Sequence, residues 1–197
     1  MHRIVFVIIP LCLLSAFVHA QDTFSIMVGG VIGYQHIEAS KWSRVYKSPA
    51  LSYGGLFGVG NGETFVFGKY RVIKTTGTSV LENITVNGKA DWDERFIVAG
   101  LHTYVQNTPF EAGVGYVWLH ATEKIWTENP AIPELSNSQT LTDHGVNVLI
   151  GLSFGHDVRL NFDLEYIYLF DRSTTSDGHS GPNLGGLYYG TGISIIL

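Results

Sequence analysis

Between Val158 and Phe170 the chain alternates so strictly that only an extended strand can sort its side chains. Val158, Leu160, Phe162, Leu164, Tyr166, Tyr168 and Phe170 fall on one face. Arg159, Asn161, Asp163 and Glu165 fall on the other, before it turns apolar at Ile167 and Leu169. Successive side chains of a strand point to opposite faces, whereas a helix would scatter these residues around its circumference. The segment is 13 residues long, about twice the usual globular strand. A tilted strand needs about 9–11 residues to cross the hydrocarbon of a membrane.

The same period recurs in seven further segments, at 24–38, 50–59, 63–73, 94–105, 110–121, 144–154 and 184–197. The facing of 63–73 and 94–105 stays open, because both of their faces carry apolar residues. Glycines sit opposite the apolar faces, at 29, 33, 54, 58, 113, 115, 151, 190 and 192. Connections alternate in length. Those at 60–62, 106–109 and 155–157 are tight turns, while 39–49, 74–93, 122–143 and 171–183 run to 11, 20, 22 and 13 residues. Short turns therefore gather at one end, with both termini, and long loops at the other, as in outer-membrane barrels. Tyr34, Trp118, Tyr166, Tyr168 and Tyr189 lie toward the long-loop end, and Phe24, Phe57, Phe110 and Phe154 toward the short turns. Two aromatic belts suit a bilayer with two interfaces.

These features predict an all-β fold, an eight-stranded antiparallel up-and-down transmembrane β-barrel. The alternative fold is a soluble secreted β-sandwich, which also alternates but turns its apolar face inward. In a barrel, residues 195–197 must pair with the first strand, since an open edge in lipid costs several kcal/mol per unsatisfied backbone group. Eight strands leave an interior just wide enough for side chains to fill. Lys69, Arg71, Glu111, Arg159, Asp163 and Glu165 are assigned to that polar interior, with Lys69 and Arg71 conditional on the facing of their strand. Such charges are expected to pair, because unpaired ones are costly away from water.

Residues 1–20 have the three-part form of a secretory signal: Met1-His2-Arg3, an apolar run from Ile4 to Leu14, and Val18-His19-Ala20 before the cleavage point. Residues 21–197 then form one domain. Cys12, the only cysteine, lies in the signal. Loss of Arg3 takes the formal net charge from −5 to −6, which gives no basic footprint for nucleic acid. With 23 Gly, 10 Tyr and 11 Phe, the composition is that of a β protein. No apolar run near 18 residues follows residue 20, so no membrane helix is expected.

The domain resembles the small eight-stranded outer-membrane barrels, a group that includes the outer membrane protein A barrel and the opacity-type surface proteins. The resemblance covers residues 21–197 and rests on architecture. It implies insertion by the barrel assembly machinery, periplasmic termini, surface-exposed long loops and contact with outer-membrane lipid and lipopolysaccharide, most simply as a monomer. Such barrels commonly end in Phe. This chain ends on Leu197, which keeps the apolar character and parity without the ring.

Loop 39–49 holds Lys41, Arg44 and Lys47 with one acid-free stretch around Trp42 and Tyr46. Clustered cations with aromatic neighbours suit the phosphates of lipopolysaccharide or another anion. Loop 122–143 sets Lys124 against Glu123, Glu128, Glu134 and Asp143. His36, His120, His144 and His179 lie near the long-loop rim without metal-ligand spacing, so neither metal nor cofactor is expected. Asn83-Ile84-Thr85 fits a glycosylation sequon, which carries no meaning in a bacterium. His120-Ala121-Thr122 faintly resembles the His-any-Ser element of the lipid A deacylases. That resemblance would make His120 a general base and Thr122 the nucleophile, but Thr replaces Ser and no orienting acid is identifiable. The expected role is therefore structural, adhesive or ligand-binding, ahead of a narrow channel and of a lipid-modifying enzyme.

Overall fold

A computed structural model describes residues 24–38, 42–46, 48–80, 87–127, 137–170 and 184–197, without the side chains of 43, 44, 79, 80, 87 and 137. The proposed signal, including Cys12, lies outside them, as do Lys41, Lys47, the 83–85 sequon, Glu128, Glu134 and His179. Eight strands follow in order: β1 (Ser25–Ile37), β2 (Ala50–Gly60), β3 (Thr64–Val80), β4 (Asn87–Tyr104), β5 (Phe110–Thr127), β6 (Asn137–Gly155), β7 (Val158–Leu169) and β8 (Gly186–Ile196). A single turn of helix, α1 (Trp42–Val45), lies between β1 and β2. Each strand pairs antiparallel with the next, and β8 pairs with β1 to close one barrel. Leu197 and Ile26 exchange both backbone hydrogen bonds at 2.8 Å, so the described ends meet at the short-turn end.

The register fixes the tilt. Starting at Ile26, the pairing runs through Val59, Val66, Leu101, Val114, Val148, Tyr166 and Leu187 and returns to β1 at His36, ten residues on. Ten residues of about 3.3 Å against eight strand spacings of about 4.8 Å tilt the strands by roughly 40°. At that tilt β1 and β8 are long enough to cross an apolar band about 25 Å tall with little to spare.

The apolar faces point outward. Leu160, Phe162 and Leu164 are 43%, 47% and 41% exposed, while Asn161, Asp163 and Glu165, which alternate with them, are buried. That arrangement is the reverse of a soluble sandwich, in which the apolar face is covered by a second sheet. Both aromatic belts project outward, since Tyr34, Trp118, Tyr166, Tyr168, Tyr189, Phe24, Phe57, Phe110 and Phe154 are all exposed. The facing of the two ambiguous strands is now settled. Lys69 and Arg71 of β3 point inward, as do Glu94, Phe96, Val98 and His102 of β4.

Two of the expected long loops are mostly strand. The 74–93 segment continues β3 to Val80 and begins β4 at Asn87, and 122–143 continues β5 to Thr127 and begins β6 at Asn137. Ladder pairing persists to Val80↔Asn87, Gly88↔Thr127 and Ile125↔Asn137. By contrast, β2–β3 pairing stops at Ser52↔Ile73 and β6–β7 pairing at Gly145↔Leu169. Strands of 17 to 19 residues rise about 40 Å along the barrel axis, well past the apolar band. A four-stranded sheet made of β3–β6 therefore stands beyond the girdle.

Candidate functional site

Three layers fill the barrel. Near the short turns, Met27, Phe65 and Tyr104 form an apolar floor, with the Tyr104 hydroxyl donating to Met27 Sδ at 3.3 Å. Arg159 belongs to this level, where its guanidinium lies 3.8 Å from the Tyr104 ring and Nε donates to the His156 carbonyl at 3.0 Å. It was expected within the charged interior but stays half-buried at the mouth, because β7 starts at Val158 and its first inward side chain reaches only the rim.

Above the floor lies a charged layer. Lys69 Nζ sits 2.6 Å from Glu165 Oε1 and 3.5 Å from Asp163 Oδ2. Asn147 Nδ2 donates to the other Glu165 oxygen at 2.8 Å, and Arg71 approaches that oxygen at 3.6 Å. Arg71 is otherwise flanked by ring faces, 4.0 Å from Tyr188 and 5.3 Å from Phe96. His102 Nε2 lies 3.2 Å from Glu111 Oε2. Glu111, Gly151 and Asp163 form one row across β5, β6 and β7. A Cβ at Gly151 would fall 2.6 Å from Glu111 Oε1, so the missing side chain is what lets the two carboxyl groups meet. His102 and Glu94 escaped the sequence-based assignment. Once Lys69 is known to face inward, the β3–β4 register places both on the same side as Lys69, which is the signal that finds them.

The third layer closes the outer mouth. Trp92 is its hub, with ring centroids 5.6 Å from Tyr46 and 6.3 Å from Trp42, and its Nε1 donates to Glu94 Oε2 at 2.9 Å. Trp42 and Tyr46 were expected to be displayed on a surface loop. Instead α1 turns both inward, to 4% and 3% exposure, because the extended β3–β5 wall offers large rings a surface to cover. The Tyr46 hydroxyl donates to Glu123 Oε1 at 2.7 Å, and burial together with that bond holds its phenol well above the ordinary value. The backbone of Arg44 belongs to α1, and its side chain lies outside the described residues, like Lys41 and Lys47.

On the outer wall, His120 is exposed and Thr122 partly so, two residues apart on β5 and both outward-facing. Their register neighbours on β4 are Arg95 and Asp93. Asp93 is the carboxylate beside Thr122, yet it is held by Arg95 Nε at 3.1 Å and Lys74 Nζ at 3.3 Å. Partial burial pushes its carboxyl up, but the Arg95 and Lys74 bonds outweigh this and hold it below the ordinary range. An acid so engaged is not turned toward an imidazole. A His120→Ala variant is accordingly expected to leave the acylation pattern of lipid A unchanged by mass spectrometry, and a lost deacylated species would reverse that. His144 packs among Tyr116 and Phe170 at 5.9 and 5.7 Å, and no group of three metal-ligating side chains occurs among the described residues.

Comparison with protein-family models and with curated protein sequences finds no match. Solved structures do match. Ail, the attachment invasion locus protein of Yersinia pestis, in complex with the heparin analogue sucrose octasulfate, superposes with a TM-score of 0.61 at 8% identity, over 88% of this chain and 99% of that one. Another structure of Ail gives 0.53 at 10% identity, over 88% and 98%. The N-terminal β-barrel domain of Pseudomonas aeruginosa OprF gives 0.44 at 14% identity, over 88% and 97%. In strand number, closure and the outward turn of its apolar faces, this chain has the fold of the small eight-stranded outer-membrane β-barrels.

Proposed function

We propose that the protein is a monomeric outer-membrane anchor whose β3–β6 extension serves as a binding platform at the cell surface. The termini then face the periplasm, the barrel assembly machinery inserts the chain, and the role is attachment rather than catalysis. One observation carries this: among the described residues the interior holds an ion-paired layer and an aromatic cap, while four strands continue beyond the apolar girdle. A narrow interior occupied by buried side chains favours a plug over a solute channel, and an extension built of hydrogen-bonded strands presents a more ordered face than a loop would. The superposition with Ail, an attachment protein solved with a heparin analogue, supports the same class of role and suggests a sulfated glycan as probe.

Removing the extension tests the proposal. Thr75 and Trp92 are register partners, so joining them through an Asn-Gly turn deletes the projecting hairpin of β3 and β4 without disturbing the pairing below. Cells of a Gram-negative host displaying the intact chain are expected to adhere to immobilised heparin, and the shortened variant to lose at least about tenfold, the equivalent of one good charge-assisted contact. Equal adhesion by both, or none above the empty host, would count against the platform. Discrete conductance steps in planar bilayers would instead favour a channel.

A further inference from the structure

We propose that the outward face of the β3–β5 extension holds a uronate-bearing glycan chain from outside the cell, with Asp91 reading paired sugar hydroxyls and Trp126 a ring face. This deepens the platform reading above and rests on it. The register lays out the site. Asp91 of β4 stands between Thr76 of β3 and Lys124 of β5, and Lys89 stands between Thr78 and Trp126. All six alternate with inward residues such as Ala90 and Ile125, and all but the partly covered Trp126 are exposed. With strands about 4.8 Å apart and successive outward residues about 6.6 Å apart, the six span about 10 Å by 7 Å, close to the footprint of a disaccharide. A depression of about 600 Å³ opens among Thr76, Asp91, Thr122 and Lys124, within the range of small-ligand sites. Trp126 lies eight residues beyond Trp118 along β5, roughly 20 Å up the barrel axis at the strand tilt. The interfacial layer of a bilayer is only about 5–7 Å deep on each side, so this face stands clear of the leaflet's own headgroups.

The side chains select the ligand class. Trp126 is the one large apolar group among the six, whereas protein interfaces centre on a cluster of such groups, and two lysines are too few for nucleic acid. Thr76 and Thr78 both donate and accept, Asp91 only accepts, and Lys89 and Lys124 only donate. Sugar rings match that mixture, with hydroxyls along their edges and a C–H face that packs on an indole. Asp91 decides the charge pattern. A site that merely collected sulfates would be all cation, and a carboxylate at its centre repels them. Asp91 instead accepts from two neighbouring hydroxyls, while the lysines beside it donate to a carboxylate. A uronate-bearing chain with free vicinal hydroxyls offers both.

The full chain, folded into phospholipid nanodiscs free of lipopolysaccharide, is presented with four immobilised polymers. Hyaluronan bears uronate without sulfate, heparin bears both, dextran sulfate bears sulfate alone, and dextran bears neither. Hyaluronan is expected to bind at least about tenfold better than dextran sulfate or dextran, the equivalent of one charge-assisted contact, with heparin also above both. Asp91→Asn keeps the shape of the site but weakens the acceptor, and is expected to lose hyaluronan about tenfold. Trp126→Ala is expected to lose it severalfold. Charge alone predicts the reverse for Asp91→Asn, since removing a negative group strengthens the grip on every polyanion. Binding that follows sulfate, or hyaluronan binding that holds or rises in Asp91→Asn, overturns this site and leaves the platform standing. Binding to none of the four defeats the platform as well. Heat-modifiable migration on gels shows which variants are folded, and if Trp126→Ala is not, Asp91→Asn decides alone.

Discussion

A Glu165→Ala barrel is expected to unfold in lipid vesicles at a much lower urea concentration than the parent, with a loss of about 3–5 kcal/mol. Glu165 is fully enclosed and accepts from Lys69 and Asn147 while facing Arg71. Removing it leaves buried Arg71 without its carboxylate neighbour and Lys69 with Asp163 alone, at 3.5 Å. The cost arises from that abandonment more than from the net worth of the ion pair, so a second change should relieve it. Lys69→Met/Glu165→Gln is expected to be more stable than the two single losses imply, with a coupling of about 2 kcal/mol or more in a double-mutant cycle. Additive losses would mean that the charges do not act as a pair.

A Gly33→Leu substitution is expected to abolish the folded barrel rather than weaken it. Gly33 faces Gly190 across the β1–β8 seam, where the chain closes on itself. A Cβ there would run into the Tyr189 carbonyl and the Gly190 backbone, with the Tyr188 ring 2.9 Å away. A side-chain clash can be relieved by a rotamer change, but a clash with ladder backbone pushes two strands apart. In lipid the separated strands expose hydrogen-bonding groups at several kcal/mol each. Gly30→Ala is the matched control, because its Cβ meets only the Gly54 carbonyl at an ordinary 3.8 Å. On unheated gels, the control should migrate as a compact species and Gly33→Leu only as the unfolded one. A compact Gly33→Leu band would show that the seam tolerates separation.

Much of the barrel could be read from residue order because the membrane imposes alternation directly. In the halves of β7 and β5 nearer the short turns the outward residues are greasy, while the inward ones, Arg159, Asn161, Asp163 and Glu165 or Glu111, Gly113 and Gly115, are polar or glycine, so one face identifies itself. On β3 the test fails. Phe65, Phe67 and Ile73 are apolar inside, while Val66 and Tyr70 are apolar outside. The interior floor and cap need hydrophobic side chains of their own, and these mimic a lipid face. His102 and Glu94 stayed unassigned for the same reason, since their strand also presents Phe96 and Val98 inward beside Ile97 outward.

The strand ends were misjudged for a different reason. Apolar alternation ends where lipid ends, but backbone pairing does not. Above the girdle the outward positions become Lys74, Thr76 and Thr78, or Lys89, Asp91 and Asp93, all content in water. Their inward partners, such as Gly77 and Ala90, are small where α1 packs close, so the hydrophobic contrast fades although the ladder continues. Trp42 and Tyr46 illustrate the complementary error. Aromatic residues among cations suggested an exposed binding loop, yet their rings are buried in the cap.

The circuit that leaves β1 at Ile26 and comes back at His36 carries a constraint of its own. An even displacement returns a lipid-facing residue to a lipid-facing neighbour. Sliding the seam by a single position would bring greasy and charged neighbours onto the same side all along the join, which neither solvent tolerates. The smallest admissible error is thus a slide of two, and that changes the girth and pitch of the whole cylinder at once. Misassembly here comes in discrete steps, with no gradual route from a wrong wall to the right one.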